Sequence, residues 1–144
     1  MGKVVGLPEW VVLSSLILCV FLAMALRGWR NTKRQVSRTV AKRANPVRED
    51  FLEMMAPDVS REASEFVWEH ASDCLAFYCP DIAPHPDDHL IHDLPIDEDD
   101  WSLDWPFLWA RQCDFPEKNL PDWPSGWPVT IRNFARWLDL GPQA

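Results

Sequence analysis

The chain has 144 residues, 47% of them hydrophobic, and a formal net charge of −8. This length allows one small domain beside an anchor, and the acidic balance argues against nucleic acid as a partner, because phosphates would be repelled. The charge is unevenly distributed, with a net charge of +6 in residues 1–50 and −14 in residues 51–144. Such a division is typical of a membrane anchor followed by a separate acidic domain.

The first predicted element is an apolar run from Trp10 to Leu26 that contains no charged residue. As a helix it is about 25 Å long, and its extension to Trp29 gives about 30 Å, the thickness of the hydrocarbon core. We therefore expect a transmembrane helix that contacts lipid through residues 10–26. Trp10 and Trp29 are expected near the two interfaces, with the Arg27 side chain extending toward the headgroups.

The flanks of this run predict its orientation. Residues 27–48 carry eight basic residues and no acidic residue before Glu49, whereas the amino side offers only Lys3 and the terminal amine. The positive-inside rule therefore places the amino terminus outside and the large domain in the cytoplasm. A cleaved signal peptide is the alternative, because Ala23-Met24-Ala25 resembles a cleavage site. The dense positive charge that follows this site opposes translocation and disfavours cleavage.

Three regions follow from these patterns: an anchor over residues 1–28, a basic juxtamembrane linker over 29–49 and an acidic domain over 50–144. The start of the linker is expected to continue the helix. Its basic residues are able to lie on anionic lipid, but a role in topology alone is the favoured interpretation.

The acidic domain is predicted to be all-α, because no segment alternates apolar and polar residues as a strand would. The expected helices are Val47–Met55, Arg61 to about Tyr78, a helix beginning near Ser102 or Asp104, and Val129–Leu140. Asn45 is the expected cap of the first of these helices, with Pro46 at its first position, and Ser60 is the expected N-cap of the second. Gly141-Pro142 is expected to end the last helix as a C-cap.

Seven of the nine tryptophans of the chain lie in this domain, so its burial depends on a few large aromatic side chains. An apolar-periodic stretch runs through Trp101, Leu103, Trp105, Leu108 and Trp109. We expect four tryptophans in the core: Trp101, Trp105, Trp109 and Trp137. Trp123 and Trp127 lie in a proline-rich connector, where exposure and contact with a partner or membrane are the alternative to burial.

The helical segments and their connections resemble an acyl-carrier-protein-like domain, and are most similar to a small bacterial family of uncharacterised proteins with that fold. The resemblance covers roughly residues 50–141. It rests on Asp93-Leu94-Pro95-Ile96-Asp97, which opens a second helix after a long loop, and on Pro128-Val129-Thr130-Ile131, which leads into the last helix. It implies a small four-helix bundle in a bacterial inner-membrane protein.

The same resemblance implies that the carrier chemistry is lost. Carrier proteins attach a phosphopantetheine arm to a serine that directly follows an Asp, and Glu98 stands at that place after Asp97. A carboxylate cannot form the phosphodiester link. Ser102 is the alternative attachment residue, although it lies four positions late and a role as helix cap is the favoured interpretation.

The resemblance further implies a recognition surface, because carrier proteins are bound by basic patches through acidic residues of their second helix. The matching residues here are Asp97, Glu98, Asp99, Asp100 and Asp104. A solvated, capped helix start that aids solubility is the alternative. We therefore expect an adaptor or regulatory domain that binds a basic protein, with a membrane-tethered carrier as the second hypothesis.

Catalytic and metal-binding patterns are weak. Acidic and imidazole groups cluster at His85, Asp87, Asp88, His89, His92 and Asp93, but Pro86 breaks the helix that would align them, and loop histidines beside turn-capping aspartates are favoured. The four cysteines have no metal-binding spacing and are expected to be free thiols. There is no Gly-rich phosphate loop and no serine nucleophile motif. We expect no cofactor and no enzymatic activity.

Overall fold

The computed structural model describes residues 8–79 and 81–143. The helices, in chain order, are α1 (Glu9–Lys42), α2 (Arg48–Met55), α3 (Arg61–Tyr78), a π-helical turn (Asp100–Asp104), α4 (Trp105–Gln112) and α5 (Ile131–Leu138). Two short 3-10 turns lie at Glu117–Asn119 and Gly141–Gln143. The described residues contain no β-strand, only an isolated bridge between His89 and Thr130. The all-α prediction is confirmed for these residues, and the carrier-like arrangement of the bundle stays a prediction.

The chain divides into two compact units, Met1–Arg34 and Gln35–Ala144. The first unit is built on α1, which is long enough and apolar enough to span a membrane, with a mean hydropathy of 2.2 and no buried residue in its most apolar window. The hydroxyls of Ser14 and Ser15 donate to backbone carbonyls one turn earlier, at 2.7 and 2.8 Å. Both polar groups are thus satisfied inside the helix, as an apolar surrounding requires.

The second unit begins inside the segment expected to be a linker, because the last turns of α1 pack against the loop before the acidic segment. The Gln35 side-chain amide donates to the Leu94 carbonyl at 2.9 Å, and the buried Thr39 hydroxyl donates to the Asp93 carbonyl at 2.7 Å. Val36 is buried between them. The carboxyl end of α1 therefore belongs to the folded domain.

An ion pair just past the end of α1 adds to this contact with the loop. The Arg43 guanidinium binds both carboxylate oxygens of the buried Asp88 and donates to the Ala83 carbonyl at 2.8 Å. Asn45 lies beside it and donates to the Asp81 carbonyl at 2.7 Å. The prediction that Asn45 caps α2 is therefore wrong, because its side chain forms hydrogen bonds to the loop instead. Val47 occupies the N-cap position of α2 and makes no side-chain cap hydrogen bond.

The core of the second unit forms around α3, which packs against α2 and α5. The Ser60 hydroxyl accepts a hydrogen bond from the Ala63 amide at 3.1 Å, so the expected N-cap of α3 is confirmed. Apolar residues at helical spacing on α3 are almost completely buried, and they meet large side chains from the other helices. The largest of these buried side chains from the other helices are Trp109, Phe51, Phe134, Met55, Ile131 and Leu138.

The last helix is shorter than expected and ends differently. Thr130 caps it by accepting a hydrogen bond from the Asn133 amide, so α5 begins at Ile131 and not at Val129. Asp139, in right-handed helical conformation, is its C-cap, and Gly141 starts the following 3-10 turn. The prediction that Gly141 is the C-cap is therefore wrong.

The start of α4 agrees with the prediction in part: Asp104 occupies the N-cap position, but its side chain makes no cap hydrogen bond, and Ser102 lies inside the preceding π-helical turn. The chain enters α4 through the π-helical turn, in which the Trp105 amide donates to the Asp100 carbonyl five residues earlier. Pro106 explains this widening: its ring would clash with the carbonyl four residues before it in a regular helix, and it has no amide to donate.

Candidate docking site

Buried neighbours on both sides hold the acidic segment in place. Leu94 and Ile96 are buried before it, and Trp105 is buried after it. Within the segment, the partly buried Trp101 ring meets the Phe134 ring of α5 edge-on, with 6.2 Å between the ring centroids. The backbone that carries the carboxylates is therefore anchored to the core by aromatic packing.

The carboxylates of this segment face solvent without cationic partners. Asp97, Glu98, Asp99 and Asp104 are exposed, and Asp100 is half-buried. In the part of the chain that the structure describes, none of the five forms an ion pair. The cations of the second unit that do form ion pairs bind other carboxylates, those of Asp58, Glu65, Asp87, Asp88 and Asp93. The five acidic residues thus form a local negative surface, which we call the acidic face.

Asp100 differs from its neighbours because it turns toward α3. Its carboxylate lies 3.7 Å from the Cys74 sulfur, which acts as the donor. Burial of the thiol, together with the negative charge and hydrogen bond of Asp100, raises the pKa of Cys74 to about 11. The thiol is protonated at neutral pH, so Cys74 is a poor nucleophile.

Ser102, the alternative attachment residue, lies on the π-helical turn with an exposed side chain. Glu98, which stands at the serine position of the carrier motif, is also exposed. Asp97 accepts a hydrogen bond from the Asp99 amide at 3.2 Å, a local turn that orders the start of the acidic face.

Two exposed apolar side chains beside the acidic face were missed from the sequence. Leu103 is 60% exposed and Phe107 is 48% exposed, and the two lie one helical turn apart. Each is two residues from Trp105, about 200° around a helix axis, so both lie opposite the buried tryptophans. This spacing is the sequence signal that could have identified them. Leu108 shares the helical face of Trp105 and is nevertheless 38% exposed.

The histidine-rich loop is held by its own hydrogen bonds. The Nδ1 atoms of His85 and His89 accept from the amides two residues later, and the rings of His89 and His92 stack with 4.3 Å between centroids. Within residues 8–79 and 81–143, no group of three or more His, Cys, Asp or Glu side chains is arranged to hold a metal ion.

Two groups of this loop have shifted pKa values. Partial burial and the neighbouring His92 lower the pKa of His89 against the opposing effect of Asp93. Burial alone would raise the pKa of Asp93, but hydrogen bonds from the His89 amide and Lys42, and the charge of Lys42, lower it overall. Both shifts belong to the loop on which the end of α1 packs.

The two connector tryptophans are half-buried. The Trp123 indole donates to the Trp127 carbonyl at 3.2 Å, and the two rings meet edge-on. The Arg136 guanidinium lies 4.4 Å from the Trp127 ring centroid. These contacts account for their positions within the domain, and contact of either ring with a partner stays a prediction.

No protein-family model, no curated protein and no solved structure matches the chain. The resemblance to the acyl-carrier-like family accordingly stays a prediction. The functional proposal therefore rests on the residues and geometry of this chain.

Proposed function

We propose that the chain is a single-pass membrane protein whose acidic helical domain binds a basic surface on another protein. It acts as an adaptor or regulator and not as an enzyme. The observation that carries the proposal is the acidic face: four exposed carboxylates and one half-buried carboxylate, none with a cation, on a backbone held by the buried Trp105 and the partly buried Trp101.

The energetics of the acidic face support a cationic partner. Neighbouring like charges repel by about 1 kcal/mol per pair at 4 Å even in water. This repulsion weakens the isolated domain and is relieved when a basic surface binds. Complementary charge of this kind also accelerates association and selects against acidic partners.

The exposed apolar residues add a second feature to the partner surface. Leu103 and Phe107 present exposed apolar area close in sequence to Asp104, so the site combines apolar side chains with negative charge. Protein interfaces commonly have this composition. We therefore propose that the partner presents an apolar side chain flanked by Lys or Arg.

The proposed setting is the bacterial inner membrane, with the amino terminus in the periplasm and the domain in the cytoplasm. The basic residues that follow the apolar run support this orientation through the positive-inside rule. A carboxy-terminal alkaline phosphatase fusion is expected to be inactive, because the enzyme requires export. An active fusion would refute the orientation and leave the docking surface untouched.

Docking is tested by crosslinking in cells. A photoreactive amino acid at position 103 in the full chain is expected to give a discrete protein adduct. Neutralising Asp97, Glu98, Asp99 and Asp104 to their amides should reduce its yield at least tenfold. The matched control neutralises four exposed acids elsewhere, Glu53, Glu69, Glu117 and Asp122, and changes the net charge equally.

The control variant is expected to retain the adduct. Equal losses in the two variants would show that only net charge matters, and would contradict the proposal. Purification of the adduct must also yield a protein with a basic surface, since docking of an acidic protein is incompatible with the acidic face.

A membrane-tethered acyl or peptidyl carrier is the second candidate, favoured by the exposure of Ser102 on the π-helical turn. Co-expression with a phosphopantetheinyl transferase, followed by intact mass measurement, decides between the two. A mass increase of one arm that disappears in Ser102→Ala would establish the carrier. An unchanged mass favours the adaptor.

A further inference from the structure

Three arginines lie on one face of α1, directly after its apolar stretch. Arg27, Arg30 and Arg34 are three and four residues apart, so their side chains fall within about 60° around the helix axis. All three are exposed and belong to the first compact unit. We call these residues the arginine stripe.

The arginine stripe has no acidic residue near it within its own unit. The only acidic residue in the sequence of that unit is Glu9, eighteen residues before Arg27 and at the opposite end of α1. The cations after residue 40 contrast with it, since Lys42, Arg43 and Arg48 each bind a carboxylate. The positive charge of the stripe is therefore available to an external anion.

The position of the stripe along α1 indicates which anion. With Leu26 at the edge of the apolar stretch, the rise of the helix places Arg27, Arg30 and Arg34 about 1.5, 6 and 12 Å beyond it. The headgroup layer extends about 5–8 Å from the hydrocarbon core, and arginine side chains are long enough to reach back toward it. Trp29, 57% exposed, is the aromatic residue expected at this depth.

The neighbouring cation, Lys33, makes a contact of its own with Trp29. The Lys33 ammonium lies 4.0 Å from the Trp29 ring centroid, on a different face of the helix. This cation–π contact directs the lysine toward the tryptophan. The three arginines remain side by side, and their planar guanidinium groups are suited to bidentate binding of phosphate oxygens.

We propose that the arginine stripe binds the phosphate headgroups of anionic phospholipids and so selects the lipids that surround the span. This inference rests on the membrane anchoring in the proposed function and is independent of the docking partner. It goes beyond topology, because a topology determinant requires only positive charge during insertion, whereas a headgroup site retains anionic lipid in the mature protein.

The test uses the full chain purified in neutral detergent and exposed to equimolar phosphatidylglycerol and phosphatidylcholine with identical acyl chains. Native mass spectrometry counts the bound lipids of each kind. The wild-type chain is expected to prefer phosphatidylglycerol by about fivefold for each effective arginine. Arg27→Gln/Arg30→Gln/Arg34→Gln should remove this preference while leaving phosphatidylcholine binding unchanged.

Two further variants make the result specific. Arg61→Gln/Arg111→Gln/Lys118→Gln removes the same charge from exposed positions outside α1 and should retain the preference. Arg27→Lys/Arg30→Lys/Arg34→Lys keeps the charge but loses the bidentate geometry, so this variant should show a weaker preference than the wild-type chain. Equal binding of both lipids by the wild-type chain, or loss of the preference in the Arg61→Gln/Arg111→Gln/Lys118→Gln variant, overturns the proposal.

The same preparation separates this proposal from the anchoring on which it rests. A chain that stays soluble and monodisperse without detergent would refute the membrane span itself. A chain that requires detergent but shows no lipid preference would refute the headgroup site alone.

Discussion

Gly141 is buried against the connector, and its role is to allow close packing. A Cβ atom at this position would lie 2.6 Å from two atoms of the Phe115 ring and 2.8 Å from a methyl carbon of Leu120. Its backbone does not adopt the left-handed conformation that the expected C-cap requires; in the described residues the positive-φ glycine is Gly126. The glycine is thus needed for space and not for a special backbone conformation.

Gly141→Ala is therefore expected to lower the free energy of unfolding by about 1–3 kcal/mol, the usual cost of overpacking a core. Urea denaturation of the full chain in detergent, followed by tryptophan fluorescence, measures the change. Gly28→Ala is the matched control, because nothing lies within 4 Å of the added carbon, and the stability of the domain should not change. Equal stability of the Gly141 variant and the wild-type chain would contradict this account.

At the scale of elements, the Arg43–Asp88 ion pair joins the end of α1 to the loop before the acidic face. Only 13% and 6% of the two side chains are exposed. The His85 amide also donates to the Asp88 carboxylate at 3.1 Å, so this carboxylate binds both the Arg43 guanidinium and the backbone of its own loop. A buried charge that loses its partner is strongly destabilising.

Asp88→Asn is expected to destabilise the domain by about 3–5 kcal/mol, because the guanidinium of Arg43 stays buried without a counter-charge. Asp87→Asn is the matched control: Asp87 pairs with Arg132 at 3.1 Å, but 66% of its side chain is exposed. Removal of the Asp87 charge should lower the free energy of unfolding by less than about 1 kcal/mol. Thermal unfolding followed by circular dichroism compares the two variants. Similar losses of stability would show that the buried Arg43–Asp88 ion pair contributes no more than the exposed pair of Asp87.

For the whole molecule, the pKa values of His89 and Asp93 predict how stability depends on pH. Both are lower in the folded chain, so the unfolded chain binds more protons and stability rises with pH. The His89 contribution is present above its ordinary pKa of 6.5 and is lost as the pH falls below it. The Asp93 contribution is lost in a second window, below its ordinary pKa of 3.8.

The free energy of unfolding should therefore decrease between pH 7.5 and pH 5.5, as measured by urea denaturation at each pH. His89→Gln removes the titrating group and should make this part of the profile flatter. An unchanged slope in the variant would assign the pH dependence to other groups.

The sequence predicts the elements that depend on local patterns. The apolar stretch of α1, the Ser60 cap of α3 and the burial of Trp105 and Trp109 all follow from spacing and side-chain chemistry. The connections between distant segments do not. In the sequence, Arg43 is indistinguishable from the other basic residues after the span, because its ion-pair partner Asp88 lies 45 positions further along the chain.

The candidate site shows the same limit. The exposure of the acidic residues could be predicted from their charge, and the two-residue spacing of Leu103 and Phe107 from Trp105 predicts their exposure as well. The π-helical turn itself could not be predicted, because periodicity over a regular helix cannot detect the local widening of one turn.

The π-helical turn also makes this surface sensitive to insertions and deletions. A π-helical turn holds one residue more than an α-helical turn, so the loss of one codon between Asp100 and Asp104 would return this stretch to α-helical spacing. The Pro106 ring would then clash with the carbonyl four residues before it. A one-codon deletion in this turn is thus expected to be tolerated less well than any substitution at its exposed positions, and its length is a sharper marker for related chains than its acidic composition.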